Sequence, residues 1–559
     1  MKPTRLLLLL PLLALLLGGC AQDAPPTPAL EPTALETAVD LATVSATVTV
    51  EESIATPGPD PAVVETPARV EVETESVTSA VAGTTTPPPA PTLFARRWED
   101  PAPYAAGLIE AEHDALLELP RRNIYHLDLT LAADLRTVTG RQEVRFVNNE
   151  DLTLNELFFH LYPNLLGGSL TVTTVTINGQ AAAPQLLNER SILAVPLDEP
   201  LAPDGSVVVG LDFTVQVPTE GSSNYGVFVL ADRVLALAHF YPQVAVHDDE
   251  GWNISPPPAN ADPTYADAAF YLVRVTAPSA QTLVASGVVL ERSEQTGQQT
   301  VTVAIGPARD FYLASSERYE RISKPQGQTT INVFGLPGTE SQMVSVSDFA
   351  SGALRTMSEL IGPYPYTEFD VAPTVNLALG VEYPGTVVLN SRLYEPEARF
   401  GALPATAYLE STVAHEVVHQ WFYNVVGNDQ LDEPWLDEAL TQYGTWLYFR
   451  ERYGPGAAEN FRQSWVERWD AVNGAAVPIG LPAGRYEGAE YGAIVYGRGP
   501  LFFESLAEEM GQQVFVAFLR DYYQQNKWDI ATGAELHLLA EAHCACQLDA
   551  LFADWVGQP

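Results

Sequence analysis

Two histidines four residues apart, His415 and His419, interrupt the otherwise apolar run AYLESTVAHEVVHQWFYNVVGN. On a helix, residues i and i+4 share a face about one turn apart, so the two imidazoles project side by side. Glu416 is rotated about 100° from His415 and sits beside the pair without sharing its face. Eighteen residues separate His419 from Glu438 in EPWLDEAL, where Pro434 marks the start of a second helix. Two helices that deliver three donors to one point must pack side by side, which constrains this part of the chain more than any other feature. A catalytic zinc takes three protein ligands and keeps one position for water. Two imidazoles and a carboxylate leave such a site formally at +1, and Glu416 is placed to take a proton from water there.

Hydrophobic periodicity divides the remainder. In NIYHLDLTLAADLRTVTGRQEVRFVNN, Tyr125, Leu127, Leu129 and Leu131 alternate with polar residues, and Val138, Val144 and Phe146 continue beyond a Thr-Gly turn. This is a strand pattern with hairpin punctuation. Asn178-Gly179 in VTINGQ is a two-residue hairpin turn. Strand-like runs continue to about residue 313, so residues of roughly 120 to 320 are expected to form antiparallel β structure. YAAGLIEAEHDALLEL (104–119) carries helical spacing ahead of them. After about 330 the period turns helical: DFASGALRTMSELIG (348–362), stopped by Pro363 and Pro365, then 405–424, 435–450, 456–472 and 500–526. No internal repeat is evident.

The N-terminus reads differently. MKPTRLLLLLPLLALLLGGC places Lys2 and Arg5 before a leucine-rich run that is too short to span a bilayer and is laid out as a secretory signal. Its ending, Leu17-Gly18-Gly19-Cys20, resembles a bacterial lipoprotein cleavage box, which implies removal of residues 1–19 and lipidation of Cys20. Residues 21–93 contain no aromatic residue and are rich in Pro, Thr, Ala, Val and Glu. Such a stretch buries too little apolar surface to offset its ordering entropy. It is expected to be a disordered tether reaching about 45–50 Å. The protein is therefore expected outside the cytoplasm, anchored to the membrane at Cys20.

The net charge of −41 and pI near 4.4 argue against a nucleic-acid partner and against an electrostatic grip on anionic lipid. Three cysteines, Cys20, Cys544 and Cys546, cannot build a disulfide framework. Cys544 and Cys546 flank one alanine beside His543, and are read as ordinary thiols or a local redox pair. The other histidines take the bland reading: His126 and His160 as structural or exposed strand residues, and His239 and His247, which flank FYPQV, likewise, with an approach to the cleft as their alternative.

HEVVHQWFYNVV…PWLDEAL resembles the aminopeptidase N and leukotriene hydrolase family of zinc peptidases, the gluzincins, through Gln420, Trp421, Phe422, Asn424, Val426, Trp435, Leu436 and Glu438. The resemblance implies one Zn²⁺ per chain held by His415, His419 and Glu438, with Glu416 as general base. GVEYPGTVVLN (380–390) resembles the family's Gly-x-Met-Glu-Asn motif, which implies substrate binding at Gly380 and recognition of a free α-amino group by Glu382. Tyr383-Pro384-Gly385 departs from that motif. The apolar TVVLN is read as an edge strand able to pair with a peptide. YGAIVYGRGPLFFESL (491–506) resembles the family's Tyr-x-Lys-Gly-Ala helix, which implies that Tyr496 stabilises the oxyanion and Tyr491 stands nearby; Arg498 and Pro500 replace Lys and Ala.

RTVTGRQEVRFVNN, LFFHLYPNL and IGPYPYTEFDVAP extend the resemblance from about 120 to 559. The implied architecture is multidomain α+β. It comprises a signal at 1–19, a tether at 20–95, an antiparallel β saddle at 96–325 and a mostly helical, thermolysin-like catalytic domain at 326–559. The resemblance includes no match to the large helical C-terminal domains of many members, so a more open site is expected. The function implied is a zinc-dependent aminopeptidase acting on peptides with free N-termini. A zinc endopeptidase on the same site, and a non-catalytic peptide-binding lipoprotein, are the alternatives.

Overall fold

A computed structural model describes residues 93–258 and 265–557. The signal, Cys20 and the tether up to residue 92 lie outside the described residues. No helix among the described residues is long and apolar enough to cross a membrane.

The first half is built of strands, as the alternating pattern predicts. An eight-stranded sheet runs in the order Val288–Gln295, Gln298–Ala308, Ala269–Pro278, Asn123–Leu131, Thr137–Val147, Ser206–Gln216, Ser169–Ile177, Gln180–Ala181. Tyr125, Leu127, Leu129 and Leu131 all point into its core at 2% exposure or less, which is the two-residue period made physical. The turn at Asn178 and Gly179 has φ of 49° and 81°, as a two-residue hairpin requires. The all-antiparallel expectation needs one correction: Asn123–Leu131 and Ala269–Pro278 pair in parallel. The chain between these two strands is long enough for a parallel return: some of it continues the same sheet and some forms others, including a four-stranded one with Leu154–His160 and Ile192–Leu201.

Glu320–Gln326 already belongs to a second, mixed sheet, ordered Glu320–Gln326, Thr329–Gly335, Glu368–Thr374, Thr386–Asn390, Gly380–Tyr383. The expected 325/326 boundary falls inside this sheet's first strand. This sheet also corrects the edge assignment. Thr386–Asn390 is interior, buried along its whole length and paired on both sides, so its continuous apolar run is that of a central strand. The edge strand on this side is Gly380–Tyr383, itself largely buried.

Helices cover the sheet. The amphipathic segment at 348–362 begins earlier than its pattern shows, as Glu340–Leu360. The 405–424 segment becomes a 3₁₀ turn at Ala405–Tyr408, the helix Leu409–Val418 and a run of turns. The expected 500–526 helix is split into Gly499–Met510 and Gln512–Gln525 by Gly511 at φ 81°. No continuous helix forms at 104–119. A single turn, Ala102–Ala105, and a 3₁₀ stretch, Glu110–Glu118, flank an extended link in which Leu108 bridges Tyr366 and the Ile109 N–H donates to the Pro365 carbonyl at 2.9 Å.

Candidate active site

The helix Leu409–Val418 buries Leu409, Val413, Ala414, Val417 and Val418. Its opposite side carries His415 and Glu416, and His419 caps its C-terminal end with its N–H bonded to the His415 carbonyl at 3.3 Å. After His419 the backbone turns, with the Trp421 N–H returning to the Val418 carbonyl. Gln420 then fastens this end to the edge strand. Its Nε2 donates to the Tyr383 carbonyl at 3.0 Å, and its Oε1 accepts from the Gly385 N–H at 2.9 Å.

Glu438 and Tyr496 arrive on two unusual pieces of backbone, the π-helical turns Trp435–Ala439 and Ile494–Arg498. Such widened turns are rare and often mark functional sites, because the extra residue re-aims a side chain. The two turns abut, and a Cβ on Gly499 would come within 2.5 Å of the Ala439 methyl carbon. Arg498, 3% exposed, anchors the second turn by donating to the carbonyls of Val477, Asp554 and Trp555 at 3.0, 2.9 and 2.7 Å.

Three donor atoms converge. His415 Nε2 and His419 Nε2 are 3.1 Å apart, and Glu438 Oε2 lies 3.3 and 3.4 Å from them. Tetrahedral ligands at about 2.0–2.1 Å from a zinc ion stand about 3.3 Å from one another. The triangle matches that spacing. Glu438 Oε2 is also buried with no hydrogen-bond donor among the described residues. A buried carboxylate oxygen facing two imidazole nitrogens wants a cation, so the donor set fits the ion that the spacing suggests.

The surroundings orient this triangle. His419 Nδ1 lies 2.7 Å from Asp437 Oδ1, 3.1 Å from the Phe422 carbonyl and 3.2 Å from Thr441 Oγ1. Gln430 in turn donates to the other oxygen of Asp437. Burial opposes charge on His419, yet the Glu382 and Asp437 carboxylates hold its proton on to well above the usual imidazole range. Burial draws His415 down to about 4, so that it is neutral and ready to ligate at neutral pH. Burial works to raise Glu438, but the two imidazoles that face its carboxylate outweigh it and hold this carboxyl below the usual carboxylate range. Glu416, 4% exposed, is pushed up to about 8, chiefly by burial, with its neighbouring acids adding to the rise. Burial likewise raises Glu382 well above the carboxylate range.

Glu382, Glu416 and His419 have ligand atoms within 4.8 Å of one another, so the edge strand meets the histidine helix at the expected residues. Gly380 makes that approach possible: a Cβ there would overlap the Glu416 carboxylate, at 2.4 Å from Oε1. The Tyr496 ring centroid stands 6.2 Å from that of His415, and Tyr491 packs edge-on against Tyr496 at 6.0 Å. Every sequence-expected residue from Gly380 to Tyr496 is thus gathered in one place. Asp437, Gln420 and Arg498 acquire positions that sequence reasoning gave no role; Asp437 was one acid among many, and the other two were motif letters.

Several side readings resolve. Tyr383, the departure from the motif, is 2% exposed and stacks on Tyr312 with centroids 4.0 Å apart. His239 pairs with buried Asp310 at 2.9 Å, and its ring centroid is 6.4 Å from that of Tyr383. His247 faces Glu150 at 3.4 Å, on a cavity of 1190 Å³ that none of the site residues lines. His126 stacks on Trp98, and His160 bonds the Asn253 carbonyl, both structural. Cys544 and Cys546 are joined by a disulfide.

Comparison with known proteins agrees with this geometry. Residues 346–555 match the Peptidase family M1 domain. Aminopeptidase 2 of Candida albicans is 25% identical over 258 residues, covering 44% of this chain and 28% of that protein. Leukotriene A-4 hydrolase of Xenopus laevis is 27% identical over 238 residues, covering 39% and 37%. The chain thus spans about a third of the length of these curated relatives. The solved M1 zinc metallopeptidase of Deinococcus radiodurans, in a mutant form, superposes with a TM-score of 0.60 at 20% identity, over 78% of this chain and 94% of that one. A mutant of that enzyme bound to a Tyr-Ser-Ala substrate superposes at 0.58, also at 20% identity, over 78% and 95%. At this identity the likeness speaks for the fold.

Proposed function

With residues 346–555 forming a peptidase family M1 domain, we propose that this chain is a zinc-dependent aminopeptidase that removes residues from the free N-termini of peptides. The observation that carries the reading is the triangle of His415, His419 and Glu438 with two further acids, Glu416 and Glu382, on its open side. One zinc ion would be held by the three donors, where it supplies Lewis-acid chemistry, polarising the scissile carbonyl and acidifying a water molecule.

The chain's own residues do the rest. Glu416 takes the proton from the attacking water and returns it to the leaving amine. Its raised proton affinity suits both halves of that transfer. The Tyr496 hydroxyl donates to the developing oxyanion. Glu382 pairs with the substrate ammonium, and so sets how far the scissile bond lies from the metal. The edge strand Gly380–Tyr383 offers backbone groups to an extended peptide. The tripeptide bound by the Deinococcus relative supports a peptide substrate.

We place the enzyme outside the cytoplasm, lipidated at Cys20 and held off the membrane by the tether at 20–95. Sequence alone supports this part: the leucine-rich leader, the Leu-Gly-Gly-Cys box and the aromatic-free segment. Loss of fatty-acid labelling in Cys20→Ser tests it; labelling that persists overturns it. For the activity, aminoacyl chromogenic substrates are cleaved, cleavage stops with a chelator, and an acetylated substrate is refused. Cleavage of the acetylated peptide would mark an endopeptidase instead. No cleavage by the zinc-loaded protein would mark a binding protein.

A further inference from the structure

The helices Gly533–Cys544 and Asp549–Trp555 meet across a short link that holds the Cys544–Cys546 disulfide. His537 and Glu541 stand one turn apart on the first helix, and Asp549 opens the second. Nε2 of His537 lies 3.5 Å from Oε1 of Glu541 and 3.8 Å from Oδ1 of Asp549, and the three donor atoms all fall within 4.8 Å. The His537 ring is fixed by stacking on Phe552, with centroids 3.9 Å apart and planes at 15°. Its Nε2 is buried from solvent and makes no hydrogen bond among the described residues. Glu541 Oε1 accepts from the Leu548 N–H at 2.7 Å, which holds this carboxylate toward the ring.

We propose that His537, Glu541 and Asp549 form a second divalent-metal site, separate from the one at His415, His419 and Glu438, that clamps the C-terminal helix onto its neighbour. The Nε2 atom is screened from water, and its nearest partners are two carboxylate oxygens at 3.5 and 3.8 Å, too long for good hydrogen bonds. One cation between them satisfies all three groups. The spacing is slightly wider than at the His415 triangle, and the wide member, Asp549, is 82% exposed and free to close inward. One imidazole with two carboxylates suits Zn²⁺ or another first-row divalent ion, whereas Ca²⁺ and Mg²⁺ prefer all-oxygen sets. The nearby sulfurs are tied up in the disulfide and do not compete.

Metal content after equilibration with micromolar Zn²⁺ and removal of free ion tests the proposal. The intact chain should carry two equivalents. Asp549→Asn and His537→Ala should each carry one and keep their peptidase activity. The double variant His415→Ala, His419→Ala should carry one equivalent and lose activity, and Zn²⁺ should still raise its melting temperature. One equivalent in the intact chain, or two in Asp549→Asn and His537→Ala, overturns the second site without touching the peptidase reading. Should His415→Ala, His419→Ala fail to fold, the Asp549→Asn count in the otherwise intact chain decides alone.

Discussion

Two clusters among the described residues share one chemical type, each with histidine and carboxylate brought together by two helices. At His415, His419 and Glu438 the side chains are 13%, 0% and 15% exposed, and the far nitrogen of His419 faces Asp437, Thr441 and the Phe422 carbonyl. At His537, Glu541 and Asp549 side-chain exposures run from 21% to 82%, and only Phe552 and the Leu548 N–H hold the set. Charges act more strongly where water is excluded, and fixed dipoles then need no reorganisation during reaction. The first cluster also has two buried acids, Glu416 and Glu382, and the edge strand Gly380–Tyr383 beside it. On the proposed reading, burial and neighbours, more than ligand identity, separate a site that does chemistry from one that ties helices together.

That contrast breaks first at Glu416. Glu416→Gln should keep its zinc yet lose about 10²–10⁴-fold in kcat, measured with an aminoacyl chromogenic substrate. Near-normal turnover would remove the base from the account. Tyr496→Phe should lower kcat by about 10²–10³-fold at nearly constant KM; an effect confined to KM would assign Tyr496 to binding. Gly380→Ala pushes a Cβ into the Glu416 carboxylate, and a displacement of that size should cost about 10²-fold in kcat/KM while the fold persists. Asp437→Asn leaves the donors in place but loosens His419, and should weaken zinc affinity by about 10–100-fold in a competitive chelator titration. The corresponding change in the exposed cluster, Asp549→Asn, should leave kcat within about twofold.

Protons sharpen the comparison further. Zinc binds only neutral imidazole, and the Glu382 and Asp437 carboxylates keep His419 protonated at neutral pH in spite of its burial. Chelator-treated protein should therefore release about one proton or more on taking up zinc at pH 7. Apparent affinity should rise with pH until His419 loses its proton unaided. Calorimetry in buffers of different ionisation enthalpy reads this directly, and uptake without proton release would contradict the ion pairing around His419.

The same contrast explains what the sequence made legible. His415, Glu416 and His419 could be placed because helical spacing fixes their relation locally, and Glu438 because a proline-started helix carries it. Strand order is a tertiary fact, so the edge fell to Gly380–Tyr383 and not to the apolar TVVLN beside it. The reason for Gly380 is equally non-local, since only the fold brings Glu416 to within 2.4 Å of its absent Cβ. Asp437 could not be singled out among 70 acidic residues; its worth comes from a 2.7 Å approach to His419. The π-helical turns under Glu438 and Tyr496 leave no local signature beyond the motifs they carry.

The most direct test of the central claim is an anomalous-diffraction map at the zinc edge from crystals of the zinc-loaded protein. The account predicts a peak about 2.0–2.2 Å from Nε2 of His415, Nε2 of His419 and a carboxylate oxygen of Glu438. A map with no peak there, or with Glu438 turned away from the imidazole pair, would contradict it.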